Sequence, residues 1–444
     1  MSERFDLTES AIRHALTPPA TVRAPLDLAA AIRLEIDATP QRRRPVLVLA
    51  VSTTDRRLRL LAIAAVLAML ALLAVFVVIG HRSIVPELAI VDEAMFRGGP
   101  ARTGVVVGPG PTTTETIAWD QPVAGPIVAN MPAIVGGVVY VADGSGAVTA
   151  FRAATGDALL SVNLGSPAST SPAVATGLVV VGDDAGDVVA LDATNGAERW
   201  VFHTNGSVRS SPAIADGVVY VGSEDGHLYA IDLANGQQRW AFDFGGAITR
   251  SPAVSGGLVF AGADGGRFKA IDAATGQERW ERTLDAGQIA TPAVRDGVVL
   301  ASSGLGTAGP HAVYGLDAST GKTRWTWASP SGQEVYVGGF DTDLAIVISA
   351  DGNVYALDTR PEASTPLVRW RFKTGGPVGS AVAIAGGVVY VAGGDRTIYA
   401  VDEHAGTEIW AQAVSGQPGA IGIVGDRLYV ATDLGRVIAI TGTP

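Results

Sequence analysis

The pattern of apolar and polar positions divides the chain in two. Toward the N-terminus an uncharged apolar run, LLAIAAVLAMLALLAVFVVI, extends from Leu60 to Ile79. Nothing polar interrupts it, so it has neither the 3.6-residue period of an amphipathic helix nor the alternation of a half-buried strand. At about 1.5 Å per residue it reaches across a hydrocarbon core of about 30 Å, and it predicts a transmembrane helix over residues 60–80. Arg42, Arg43, Arg44, Arg56, Arg57 and Arg59 precede the run, and only Arg82 follows closely. That asymmetry retains the N-terminus in the cytoplasm and exports the remainder. The run lies too far along the chain for a cleaved signal peptide and reads as an uncleaved signal-anchor. In the cytoplasmic arm, residues 1–59, Leu28, Ile32 and Ile36 share one face of a helix starting near Pro25 and ending near Asp37. Such a helix docks a cytoplasmic partner or lies on the membrane surface, or the arm is loosely ordered; the pattern is compatible with each.

Beyond an exported linker, residues 81–113, the pattern becomes a repeat of about forty residues. PAVATGLVVVGDDAGDVVALDATNGAERW ends at Trp200, PAIADGVVYVGSEDGHLYAIDLANGQQRW at Trp240, and PAVSGGLVFAGADGGRFKAIDAATGQERW at Trp280. Each unit holds four short β-rich runs separated by Gly, Asp and Asn, which are hairpin signals. Runs such as VVYV are apolar on both faces, as strands between neighbouring sheets must be. One such sheet cannot bury both faces alone, but a radial array buries each against the next. The last-strand position is held by Leu160, Trp200, Trp240, Trp280, Trp325, Trp370 and Trp410. Trp119 supplies a spare strand before the first unit, and residues 420–440 supply three strands without a fourth. Joining them gives an all-β, eight-bladed propeller of four-stranded antiparallel blades over residues 114–444, closed by its N-terminal strand; seven blades with two stray ends is the competing arrangement.

Composition narrows the chemistry. Gly is abundant at 55 residues and charged residues are only 17%, which suits many tight turns. A net charge of −11 argues against a general nucleic-acid binder. The absence of cysteine removes disulfides, thiolate metal sites and thiol nucleophiles.

The repeats resemble the pyrroloquinoline-quinone-type propeller family. The resemblance rests on a tryptophan-docking motif: Ala190-Asp192-Gly196-Trp200, Ala230-Asp232-Gly236-Trp240, Ala270-Asp272-Gly276-Trp280 and Ala400-Asp402-Gly406-Trp410. Blade five has Gly315 in place of Ala, then Asp317, Gly321 and Trp325; blade six keeps Ala356, Asp358 and Trp370 around an insertion. Blade one has Arg152 for Asp and Leu160 for Trp, and FRGGPARTG from Phe96 to Gly104 looks like the lead-in that precedes such repeats. Physically, the indole would lie between blades with its N–H bonded, the Asp would accept N–H bonds of the following turn, and the Gly would take positive φ. The family includes quinone dehydrogenases and non-catalytic scaffolds. In most members the enzymes would carry a vicinal cysteine pair, calcium ligands, a catalytic Asp and long insertions, so this chain looks non-catalytic and free of cofactor; pyrroloquinoline quinone with calcium is the alternative.

Other chemistry finds little purchase. His14, His81, His203, His227, His311 and His404 lack metal-ligand spacing. Neither a Gly-x-Ser-x-Gly elbow nor a phosphate loop occurs. Asp143-Gly144, Asp225-Gly226 and Asp351-Gly352 recur at one place in the repeat and read as hairpin turns. Regularity breaks at residues 302–311 in blade five and 360–366 in blade six. Arg209, Arg250, Gln288 and Asp341, near the starts of innermost strands, are candidates for one mouth of the central channel, either binding a small polar ligand or peptide or simply solvated. The leading expectation is a membrane-tethered scaffold outside the cytoplasm, binding protein, peptide or cell-envelope glycan. It resembles in layout the propeller lipoprotein of the outer-membrane barrel-assembly machinery. A quinone-dependent dehydrogenase and a transmembrane sensor similar to anti-sigma regulators are the alternatives.

Overall fold

The computed structural model describes residues 94–443, apart from 107, 114–115, 129, 286, 307–309, 361–364 and 380–381. The chain divides into two units, Met1–Val85 and Pro86–Pro444, and every described residue belongs to the second. The expected arm and transmembrane helix therefore lie outside the described residues. Among the described residues, no helix is long and apolar enough to cross a membrane.

The second unit is built from eight four-stranded antiparallel sheets. Blade two shows why the repeat folds this way. Its strands, Ala173–Ala175, Leu178–Gly182, Asp187–Asp192 and Glu198–His203, pair in chain order. The two central strands are buried along almost their whole length, because both of their faces meet neighbouring blades. Val180, Val188 and Trp200 of blade two pack with Val219, Val221 and Ile231 of blade three. Each such side chain contributes about 1.5–3 kcal/mol by leaving water, and the contact is renewed at successive interfaces.

The seam decides between eight blades and seven. Thr116–Pro122 pairs antiparallel with Arg436–Thr441, completing a sheet with Pro418–Val424 and Arg427–Thr432. Trp119 behaves as the docking tryptophan of this eighth blade: its indole Nε1 donates to the Ala153 carbonyl at 2.9 Å, as that of Trp200 donates to Leu233 and that of Trp240 to Ala273.

The motif residues act as their chemistry suggests. Asp192 Oδ1 accepts from the Thr194 and Asn195 amides, and Asp272, Asp317 and Asp402 cap their turns in the same way. Gly276 has φ +71°, and a Cβ there would fall 2.7 Å from Trp240 Cγ, so the glycine both makes its turn and lets the indole of the preceding blade lie against it. One contact was not expected: the arginine before the tryptophan returns to the motif aspartate, as Arg239 does to Asp232 at 2.7 Å and Arg324 to Asp317 at 2.7 Å. Gly315 also has a cause. A Cβ there would lie 2.2 Å from Trp325 Cε2, because this indole sits over its own sheet.

The stretch read as a linker differs from that reading in its described part. Residues 94–106 pack against the blades rather than standing off them. Innermost strands are sheet edges, and their channel-facing N–H groups need acceptors. The lead-in supplies them: the amides of Val174, Val254, Val294, Phe340 and Ile384 donate to the carbonyls of Ala94, Pro100, Ala101, Thr103 and Gly104, at 2.7–2.9 Å. One segment thus fastens blades two, four, five, six and seven from the inside.

Candidate functional site

Where the innermost strands begin, Ser or Thr precedes Pro in successive blades. These residues form part of a ring around the channel. The Met131 amide donates to Ser171 Oγ at 2.8 Å, Ser171 to Ser211 Oγ at 3.0 Å, Ser211 to Ser251 Oγ at 2.9 Å, and Ser251 to Thr291 Oγ1 at 3.2 Å. Each hydroxyl therefore serves as an acceptor toward the preceding blade. Among the described residues none of the four hydroxyl protons has an acceptor of its own.

The ring lines a cavity of about 390 Å³ in the channel. Its exposed rim carries Val128, Arg209 and Arg250, with Gln288 half-buried beside them. Its inner end is Arg97, only 2% exposed. The lead-in delivers Arg97 from a short turn, Phe96–Gly98, in which Arg97 itself adopts φ 57° and ψ 42°, a left-handed conformation unfavourable for a side chain with a Cβ. Its Nη1 donates to the Thr291 carbonyl at 3.2 Å, while Nε and Nη2 are buried without a partner among the described residues. Leaving such N–H groups without an acceptor costs about 1–3 kcal/mol each, and more when they are charged. Burial holds the Arg97 guanidinium down to about 9, still above neutrality, so it carries a full charge at pH 7.

Three of the four residues expected at the mouth, Arg209, Arg250 and Gln288, come together on this cavity. Arg209 is held by Asp184 at 3.2 Å and Glu224 at 3.4 Å, and Arg250 makes no ion pair among the described residues. Asp341 is elsewhere. It ends the strand Val335–Asp341 and meets Arg295 Nη1 at 3.0 Å, at the opposite end of the innermost strands. Blade six has a longer and bulged innermost strand, so the mouth position there falls at Glu334. The Glu334 carboxylate accepts from the Tyr336 hydroxyl at 2.6 Å and the Gly306 amide at 2.7 Å, and its pKa is lowered by the Tyr336 bond, with Arg250 also contributing. The blade-five insertion reaches the mouth too, since Leu305 pairs with Gln288.

A second groove, about 670 Å³, opens at the other end between blades five and six. Its charges are largely spent on one another: Arg295 on Asp341, Arg324 on Asp317 and Arg360 on Asp358. Nearby, Glu403 is buried at a motif position otherwise held by small apolar residues in blades two and four. Burial, and then Asp341, push its carboxyl up to about 7.

The fold family raises the question of a quinone held with calcium. Calcium takes six to eight oxygen ligands, with carboxylates prominent among them. The residues lining the channel cavity include no Asp or Glu, and they present Arg97, Arg209 and Arg250 to it. No cluster of three or more metal-ligating His, Asp or Glu side chains occurs among the described residues. This donor set does not fit a calcium ion beside a quinone.

Among solved structures, the chain resembles BamB from Moraxella catarrhalis, at 22% identity over 73% of this chain and 97% of that one, with a TM-score of 0.60. It also resembles the computationally designed Ika8 protein, at 18% identity over 72% and 100%, with a TM-score of 0.62. The quinohemoprotein alcohol dehydrogenase of Comamonas testosteroni matches at 15% identity over 80% and 81%, with a TM-score of 0.64. At these identities the likeness is one of fold, shared by a designed protein and an enzyme alike. No curated protein sequence matches the chain. A family profile, PQQ_2, matches residues 103–243, 224–362 and 310–443, nearly the whole of the described propeller. With those matches together covering more than half of the sequence, the chain belongs to the PQQ_2 family, whose description is outer membrane protein assembly factor BamB.

Proposed function

We propose that this protein is a membrane-tethered propeller working outside the cytoplasm, where it binds a protein, peptide or cell-envelope ligand at one mouth of its central channel. The observation that carries this reading is that the channel cavity is lined by polar donors and ends internally on Arg97, which the lead-in places there. The lead-in makes the cavity a pocket with a rim, and the blade-five insertion and Glu334 add to the same rim. Tethering rests on the apolar run at residues 60–79 and the arginines before it. The family's description as an assembly factor supports a partner that is held rather than turned over.

Site-specific photo-crosslinking in membranes tests this. A photoreactive residue at Thr249, on the mouth, should give a discrete adduct identified by mass spectrometry, while one at Asp296, at the opposite end, should not. Adducts from both positions or from neither would overturn the assignment of the mouth. Stoichiometric binding of pyrroloquinoline quinone with calcium, accompanied by dye reduction, would replace it with the dehydrogenase reading.

A further inference from the structure

The channel cavity is lined by donors that have no acceptor among the described residues. Arg97 brings two guanidinium nitrogens with no partner, and Ser171, Ser211, Ser251 and Thr291 bring four hydroxyl protons with no acceptor among the described residues. Each hydroxyl oxygen already accepts one backbone amide, and its proton is still available to a ligand. The lining holds no carboxylate that would neutralise Arg97. A buried cation of this kind calls for an anion, and guanidinium suits a planar or tetrahedral oxyanion because its N–H groups form a rigid fork.

We propose that the inner end of the channel is a binding site for one compact oxyanion, a carboxylate or a phosphate group, held by the Arg97 guanidinium and by the ring hydroxyl beside it, that of Thr291, whose carbonyl Arg97 already bonds. The proposal rests on the reading of the channel mouth as the binding face, and it names the chemistry that face selects. Arg250, which makes no ion pair among the described residues, would draw the anion in from the rim, and the charge that holds it is Arg97. Because Arg97 belongs to the lead-in, an occupied site would also tie that segment more firmly to the blades.

The full chain is titrated with sodium phosphate and, separately, sodium acetate, against sodium chloride at matched ionic strength. The readouts are the thermal unfolding midpoint and calorimetric heat. At least one oxyanion should raise the midpoint saturably, with one site per chain, where chloride does not. Phosphate alone would identify a phosphoryl group, and acetate alone a carboxylate. Arg97→Gln should weaken binding at least about tenfold, whereas Arg209→Gln should change it by less than about threefold. Arg97→Lys keeps the charge but loses the fork, and Thr291→Val removes one hydroxyl while keeping the side chain's shape. Both should weaken binding severalfold, and they decide the matter if Arg97→Gln does not fold. No effect of either oxyanion beyond chloride, or undiminished binding in the folded variants, overturns the proposal. A chain that binds the anion but gives no mouth adduct keeps this site and loses the binding-module reading. A mouth adduct without any oxyanion effect does the reverse.

Discussion

Two arginines five positions apart in the lead-in show how differently one buried charge can be treated. Arg102 is fully buried, and its guanidinium donates to the carbonyls of Pro252 at 3.1 Å, Phe96 at 2.6 Å, Ser211 at 2.9 Å and Pro212 at 2.8 Å. It ties the lead-in to blades three and four, and its donors are spent on protein. Arg97, nearly as buried, has one side-chain acceptor among the described residues and lines the cavity. Burial lowers both guanidinium pKa values to about 9, so the difference lies in hydrogen bonding and not in charge state. A caged arginine holds a fold together, whereas an uncaged one at the end of a pocket is a feature that a ligand can complete.

The comparison can be broken by substitution. Arg102→Met should be the most damaging change, at about 3–5 kcal/mol by chemical denaturation, because it strands several buried carbonyls at once. If it proves mild, the caged guanidinium adds little to the backbone bonds by which the lead-in fastens the blades. Gly276→Ala tests the outer rim against that inner fastening. Positive φ and a clash with the Trp240 indole together should cost about 2–4 kcal/mol, read in the same denaturation experiment.

Glu403 is a buried carboxyl set beside another, that of Asp341. Its folded pKa of about 7 lies above its ordinary 4.5, so the fold prefers the protonated acid. Below about pH 4.5 both states hold the proton and nothing is lost. As pH rises toward 7 the unfolded chain releases its proton first, and stability falls until the folded carboxyl has also titrated. Glu403→Gln should therefore be neutral at pH 4 and stabilising by about 1–3 kcal/mol at pH 8 in denaturation curves at the two pH values. The smallest effect belongs to Arg97→Gln in chloride buffer. It should raise stability by about 1 kcal/mol, because relief of the buried N–H groups without an acceptor is largely offset by loss of the Thr291 bond and of side-chain packing.

Much of the ring was legible in the repeat. Tryptophans in phase gave the blades, and Trp119 with the unpaired strands near the C-terminus gave the eighth. The motif aspartates and glycines have local roles, and local roles can be read from local sequence. The lead-in resisted because its carbonyls, at Ala94, Pro100, Ala101, Thr103 and Gly104, bond different blades with no period for a pattern to reveal. Its arginines sit among Gly and Pro, which ordinarily signals an exposed turn. The hydroxyl ring had a signal, Ser-Pro or Thr-Pro at forty-residue steps, but that dipeptide reads equally as strand entry. Asp341 was misplaced because a bulge and a longer strand in blade six shift the phase of the repeat.

The closed seam also sets an order of assembly. Asp120 and Arg436 bond across 316 positions of chain, so the eighth blade cannot form until its last strand has been made. Pairings this distant in sequence carry a high contact order and form slowly. Until then the first strand and the last blades present open edges to any other strand nearby. For a propeller expected to emerge on the far side of a membrane N-terminal end first, the interval between export of Trp119 and arrival of residues 436–441 is the period in which the ring is most exposed to misassembly.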